Sequence, residues 1–414
     1  MLMFATRLTL AAAVLAGASQ VFAGTVTSDG ADLLVKTKGG LAVATTDDQF
    51  SFQLGGRLQA DFDTFDGLYT HDGHRADASY FRRSRLEVSG RADGVWAYDF
   101  ALELNKSDTP IKEASVSYLG LDPVTLKVGR FDPDFGLEGA TSSKWTTGIE
   151  GSAISDLAPW VNDRDEGLGA QVAGTHGMFY GSASVLRPAS NKDADGQGAN
   201  NYNLRLVLAP MARAGQVLHF GLNYAYNDAD SFDGRIRTRL GVRGVSEAGD
   251  NGNRPDLAPK TKGAFDADAA ASLEFAYAAG PFSLQSEYLR RQLGARPQAQ
   301  HQDRDATGYY GQLAYTLTGE ARGYKLDGGK FERIKPQDKQ LGAWEVFYRY
   351  DHLNAQEKGL LDNTAQVHTL GVNWYANDAV RISANYVTAK AEHFSNTVGD
   401  QAGEALALRA QYVF

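Results

Sequence analysis

The chain closes on Gly403-Glu404-Ala405-Leu406-Ala407-Leu408-Arg409-Ala410-Gln411-Tyr412-Val413-Phe414. Successive side chains of a strand point to opposite faces, so Leu406, Leu408, Ala410, Tyr412 and Phe414 share one face while Arg409 and Gln411 share the other. The same period recurs further back. Leu370, Val372 and Trp374 oppose Thr369 and Asn373, and Trp344, Val346, Tyr348 and Tyr350 oppose Glu345 and Arg349. Near the start, Phe50, Phe52, Leu54, Leu58, Ala60 and Phe62 oppose Gln53, Arg57 and Gln59. Sixteen segments carry this alternation, at approximately 50–65, 79–92, 94–106, 111–121, 123–131, 167–176, 177–187, 201–211, 215–227, 265–279, 281–293, 306–319, 341–352, 365–376, 378–391 and 403–414.

Segments of ~10 residues alternating apolar and polar, separated by turn residues, are how strands that face lipid on one side read, and an even count lets a single chain close on itself. No later stretch approaches the ~20 apolar residues that a membrane-spanning helix needs. The chain would therefore cross a membrane as a barrel, with its polar face inward. The connections support this. Compact links, Leu121-Asp122-Pro123, Gly280-Pro281 and Ala376-Asn377-Asp378, follow even-numbered segments, whereas long polar ones, 66–78, 132–166, 228–264 and 392–402, follow odd ones. Short turns at one end and long loops at the other are the outer-membrane pattern, and the terminal Tyr412 and Phe414 resemble its closing strand. Only the link from Glu320 to Gln340 breaks the rule. A soluble β-sandwich also alternates, but it does not call for sixteen segments, asymmetric loops and a terminal aromatic strand together.

The first residues combine Arg7, an apolar run from Leu8 to Ala18, and the small-x-small site Val21-Phe22-Ala23. This predicts a signal peptide over 1–23 and one barrel domain over 24–414. Cysteine is absent, which suits passage through an oxidising compartment. The net charge of −9 becomes −10 when Arg7 is removed, so bulk charge would repel anions. Selectivity, however, follows the local field along a narrow path.

An arginine facing lipid at mid-depth costs roughly 2–4 kcal/mol, so arginines within the strands should face the lumen or the rims. Parity places Arg57 inward, and in the second segment Arg83, Arg85 and Glu87 inward as well. Arg82 has the wrong parity and needs a bulge or a strand end to reach the pore. Between Arg235 and Lys262 lie seven basic residues (Arg235, Arg237, Arg239, Arg243, Arg254, Lys260, Lys262) and three acidic ones, a local excess opposite to that of the whole chain. If extended, this stretch lines alternate cations at ~7 Å spacing along a path. Guanidinium forks meet phosphate oxygens in pairs, and a graded row hands an anion from one site to the next instead of trapping it. The structural alternatives are ion pairing within the wall and a solvated charged loop.

These residues, together with Tyr80-Phe81-Arg82-Arg83, Gly129-Arg130-Phe131, Ala140-Thr141-Ser142-Ser143-Lys144-Trp145, Leu313 to Glu320 and Gln411 to Phe414, are similar to the phosphate-selective porins of the outer membrane over essentially the whole mature chain. The resemblance implies an all-β fold, a 16-stranded antiparallel transmembrane β-barrel with inward-folded loops, assembled as a homotrimer in outer-membrane lipid and passing phosphate or pyrophosphate. By that likeness the ladder is Arg235, Arg237, Arg239, Arg243 and Arg254. The constriction is Arg57, Arg82 and Arg83, with Ser142 and Ser143 from the third loop. Lys36 and Lys38, joined by Lys325 and Lys330 of the long even link, form a periplasmic cluster. Departures are Gly139 for a lysine, Lys112 for a carboxylate, Arg85 for an aromatic and Asp48 for a periplasmic lysine. Asp132 resembles the pyrophosphate-preferring branch. A general diffusion pore with little anion selectivity is the alternative. Eight scattered histidines offer no nucleophile constellation, and Asp266 and Asp268 lack the glycine and glutamate of a calcium loop, so neither an enzyme nor a cofactor is expected. Nothing calls for a nucleic-acid partner.

Overall fold

A computed structural model describes residues 23–28, 31–37, 39–105, 110–162, 167–188, 196–394 and 401–414. The expected signal peptide, apart from Ala23, lies outside the described residues.

A short antiparallel meander comes first, β1 (Ala23–Ser28), β2 (Ala31–Lys36) and β3 (Leu41–Thr45). The wall follows with β4 (Ser51–Phe65), β5 (Ala76–Ala92), β6 (Trp96–Glu103), β7 (Ile111–Leu121), β8 (Val124–Phe131), β9 (Gly167–His176), β10 (Phe179–Pro188), β11 (Asn201–Arg213) and β12 (Gln216–Asn227). A small ribbon, β13 (Ile236–Arg237) and β14 (Asp256–Ala258), precedes β15 (Phe265–Ala279), β16 (Phe282–Ala295) and β17 (Arg304–Thr316). A second ribbon, β18 (Arg322–Lys325) and β19 (Lys330–Ile334), precedes β20 (Ala343–Glu357), β21 (Leu361–Tyr375), β22 (Val380–Glu392) and β23 (Ala402–Val413). Leaving aside the meander and the ribbons, sixteen strands pair antiparallel with their neighbours. β23 closes the circle on β4, from Ala405 opposite Phe65 to Val413 opposite Arg57. β3 pairs with the remaining part of the same β4 edge, Leu41 opposite Leu54, so the meander prolongs the wall. Each of the sixteen expected segments coincides with one wall strand. The meander and the ribbons, being short, carry no long alternation and were not expected.

Facing follows parity. Leu222, Leu273, Leu370 and Leu408 are exposed on the outer surface, whereas Arg57, Gln59, Asp61 and Asp63 are buried within. The wrong-parity Arg82 sits in a bulge, because Gln59 pairs with Arg83 while Ala60 pairs with Phe81. The extra residue rotates Arg82 toward the interior.

Two expectations need correction. The inward face is not polar throughout: Ala225, Ala270, Ala306, Ala355, Ala365, Ala389 and Ala405 point inward at the long-loop end and pack against Phe135, Leu157 and Trp160 of the third loop and Ile236, Leu240 and Val245 of the 228–264 loop. Small wall residues make room for the apolar side chains of the loops, so this end of the lumen is a dry core. The alternation of connections also fails once at the long-loop end, where β20 and β21 run on to a turn of three residues, Lys358-Gly359-Leu360.

Leu222 lies mid-strand between Leu206 and Leu273 on the lipid face. Leu222→Arg should destabilise the barrel by roughly 2–4 kcal/mol, read from urea titration of folding into lipid vesicles. An unchanged midpoint would contradict this facing.

Candidate functional site

The described part of the third loop, 132–162, runs into the lumen, and side chains from around the wall satisfy its backbone. Asn223 on β12 accepts from Gly136 N at 2.9 Å. Glu287 on β16 accepts from Leu137 N and Glu138 N, both at 2.9 Å. Arg381 on β22 donates to the carbonyls of Thr146 and Thr147 at 2.7 and 2.6 Å. Arg349 on β20 holds those of Glu150 and Gly151, and Arg409 on β23 that of Ile149. Asn385 and Asp351 accept from Ile149 N and Ala153 N, both at 2.8 Å. Buried peptide groups need such partners, so the wall fixes the path of the loop.

Two of these arginines, Arg349 and Arg409, and also Arg205 on β11, are themselves neutralised, whereas Arg381 meets the Asn373 amide oxygen at 2.8 Å. Arg409 pairs with Asp61 at 2.6 Å, Arg349 with Asp351 at 3.1 Å and Arg205 with Glu274 at 2.8 Å. Desolvated charges without such partners would be strongly unfavourable. The long even link enters the same lumen. Its ribbon is held where Arg205 donates to Gly328 O and Gly329 O and where Tyr324 meets the buried His219 at 2.6 Å. Arg322, paired with Glu345, also reaches Trp145 O of the third loop.

Between loop and wall lies a cavity of about 320 Å³. Arg82, Arg83, Arg85 and Lys112 enter it from the wall, Ser143 from the third loop, and Arg239 and Arg243 from the 228–264 loop. These six cations meet four carboxylates, Glu103, Glu138, Glu150 and Glu287. Arg82 chelates Glu150 at 2.8 and 3.0 Å, and Arg85 pairs with Glu103 at 2.8 Å. Lys112 pairs with Asp132 at 2.5 Å, and Arg83 donates to Gln59 at 3.1 Å. Arg57 sits just behind, donating to Ser143 Oγ at 2.6 Å and pairing with Glu87 at 3.0 Å, while Lys144 takes the other Glu87 oxygen. Burial would raise the Glu150 carboxyl, but Arg82, Arg409 and Arg83 hold it well below the ordinary carboxylate range. Its contribution is therefore present above the ordinary value and lost only as pH falls through the lowered one. Burial, together with the adjacent cations Arg82 and Arg239, pushes Arg243 below its ordinary value. Cations are crowded here, and an anion between them would relieve that repulsion.

The 228–264 loop keeps the strand parity. Ile236, Thr238 and Leu240 are buried, and Arg235, Arg237 and Arg239 fall on the alternate side. Their side chains become less exposed inward, from 36 and 39% for Arg235 and Arg237 to 15% for Arg239 and 24% for Arg243. Arg235 chelates Asp256, and Arg254 lies in the same loop away from the cavity. Ser142 does not line the cavity. At the short-turn end, Lys36 ends β2, Lys325 pairs with Glu332, and Lys330 starts β19, while Lys38 lies outside the described residues. Asp48 lies between β3 and β4. At Gly139 a Cβ would meet nothing within 4 Å, so the cavity is open on that side. Arg349, Arg381 and Arg409 were not singled out from the sequence as loop anchors. The inward parity of Arg349 and Arg409 was legible, but their loop partners were not.

The family model for phosphate-selective porins O and P matches residues 52–414. Porin O of Pseudomonas aeruginosa is 51% identical over 428 residues, covering 97% of each chain. Among solved structures, an anion-selective porin from Comamonas acidovorans superposes with a TM-score of 0.60 at 14% identity, covering 88% of this chain and all of that one. The trimer form of in-vitro folded OmpT from Vibrio cholerae gives 0.54 at 13%, covering 89 and 100%. The latter two likenesses show the barrel alone.

Glu287→Leu leaves Leu137 N and Glu138 N without their acceptor, at roughly 1–3 kcal/mol for each. Thermal unfolding in detergent should fall accordingly, and single-channel current noise should rise as the loop loosens; unchanged noise would show that the loop is held elsewhere. The chain belongs to the phosphate-selective porin O and P family, and is an outer-membrane porin of a Gram-negative cell, not an enzyme.

Proposed function

We propose that this porin takes up phosphate or pyrophosphate through an arginine-lined, constricted path. The observation that carries this reading is the meeting of Arg82, Arg83, Arg85 and Lys112 with Arg239 and Arg243 of a distant loop around one cavity. The loop row, Arg235, Arg237 and Arg239, leads an anion from exposed to enclosed surroundings, with Arg254 on the same loop. In the cavity Arg82, Arg85, Arg239 and Arg243 are each already shared with a carboxylate. An entering anion exchanges one partner for another and avoids a deep trap, as conduction requires. Arg57 orients Ser143, whose hydroxyl serves a phosphate oxygen, while Ser142 stands outside the cavity. Lys112, bound to Asp132, is a movable cation for the same task. Lys36, Lys38, Lys325 and Lys330 form the exit field on the periplasmic side. The outer apolar surface faces outer-membrane lipid, and the trimer form of the Vibrio barrel supports a homotrimer here, with residues 1–23 removed on export.

A chloride gradient across a planar bilayer containing the purified protein should give a strongly anion-selective reversal potential, and micromolar-range phosphate or pyrophosphate should block the chloride current. Weak selectivity without block would favour a general diffusion pore. The tighter blocker identifies the solute. Gly139→Lys places a further cation at the open side of the cavity and should tighten block about tenfold, or ~1.4 kcal/mol, with longer blocked dwell times. Unaltered dwell times would remove the cavity from the anion's path.

A further inference from the structure

At the long-loop end lies a second cavity, of about 340 Å³, formed where the turn 261–264 meets residues 296–301 of the loop between β16 and β17. Lys262, Arg296, His301, Gln298, Gln300 and Thr261 line it, and no carboxylate does. Elsewhere in the 228–264 loop, cations are neutralised: Arg235 by Asp256, Arg243 by Glu247 and Lys260 by Asp233. Lys262 and Arg296 have no ion-pair partner among the described residues.

The backbone around them is fixed. Thr261 N donates to Asp233 O at 2.8 Å, and Ala264 N closes the turn on Thr261 O at 3.2 Å. Gly263, at φ 61°, permits that closure, which an L side chain would strain. Arg296 N donates to Ala264 O at 2.9 Å, binding the two loops together, and Ala299 N donates to Arg296 O at 2.9 Å, closing a turn within the second. Ala264 and Ala299 sit on a buried cluster with Phe232, Phe265 and Leu293, which gives the pocket a rigid floor. His301 Nδ1 lies 2.7 Å from Glu357 Oε1. A carboxylate only accepts, so Nδ1 carries the proton and Nε2 is left for a ligand.

We propose that this pocket is a binding site, separate from the pore, for a phosphate group carried on a larger polar body. Guanidinium and ammonium at Arg296 and Lys262 take the phosphate oxygens. The volume exceeds that of a lone phosphate, and the amides of Gln298 and Gln300 with the Thr261 hydroxyl suit the hydroxyls or bridging oxygens beyond it. Two sources share this chemistry, a phosphorylated sugar headgroup of the outer leaflet and a soluble condensed phosphate. The inference stands apart from the conduction reading, since none of these residues lines the constriction cavity.

The test measures binding of two probes, diphosphoryl lipid A in mixed micelles and inorganic pyrophosphate, to the full-length porin refolded in detergent without lipopolysaccharide. The porin is compared with Lys262→Gln/Arg296→Gln and with Arg82→Gln in the constriction. The expected result is a loss of about tenfold for at least one probe in the double variant, and retention of that component in Arg82→Gln. Loss confined to lipid A assigns the lipid headgroup, and loss confined to pyrophosphate assigns the soluble anion. Equal binding by the double variant and the unsubstituted porin, or binding of neither probe to either, overturns the proposal. Heat-modifiable migration confirms that the exposed substitutions leave the barrel folded. Failure of the conduction reading would instead appear as absent block of chloride current with this binding intact.

Discussion

A peptide segment that crosses the inside of a barrel must have its N–H and C=O groups satisfied away from bulk water. In this porin that requirement falls on the wall. The third loop supplies carbonyls at Thr146, Thr147, Ile149, Glu150 and Gly151, and wall arginines from three strands meet them. Its N–H groups find Asn223, Glu287, Asn385 and Asp351. The cavity exists because this bracing keeps the loop a fixed distance from Arg82, Arg83 and Arg85. The same device holds the β18–β19 ribbon through Arg205 and His219.

Bracing explains how an acidic chain presents cations to a solute. The arginines fall into two groups with different tasks. One group, Arg205, Arg291, Arg349, Arg381 and Arg409, is buried and aimed at backbone or carboxylates. The other, Arg82, Arg83, Arg85, Arg239 and Arg243, reaches a common space where cations outnumber carboxylates. Within such a space the local field, not the net charge of the chain, governs which ion enters. Crowding contributes at Arg243, which burial first and then Arg82 and Arg239 push below its ordinary value.

Arg82 shows how far sequence reasoning reaches. Its parity conflicts with that of Arg83 and Arg85, which calls for a bulge or a strand end, and the register slip between Gln59 and Ala60 shows that it is a bulge. Arg349 and Arg409 show where it stops: parity turns them inward, yet pairing with Asp351 and Asp61 and grasping loop carbonyls both satisfy that parity. The ribbon carried a partial signal, since Tyr324, Phe331 and Ile334 are too apolar for a solvated turn. The alanines that face the dry core read as lipid-neutral or lumen residues alike.

The sequence by itself determined the sixteen strands, their facing and the asymmetry of their ends, because these depend on a period of two and on turn residues close in the chain. It also determined which loop carries the row of arginines. Only the tertiary structure decided which cations share a space. Arg82 and Arg243 are separated by much of the chain, and their proximity follows from closure of β23 on β4 and from two loops folding inward onto a small-residue wall. Such long-range contacts depend on how side-chain volumes and buried polar groups are accommodated together, and no local pattern encodes that.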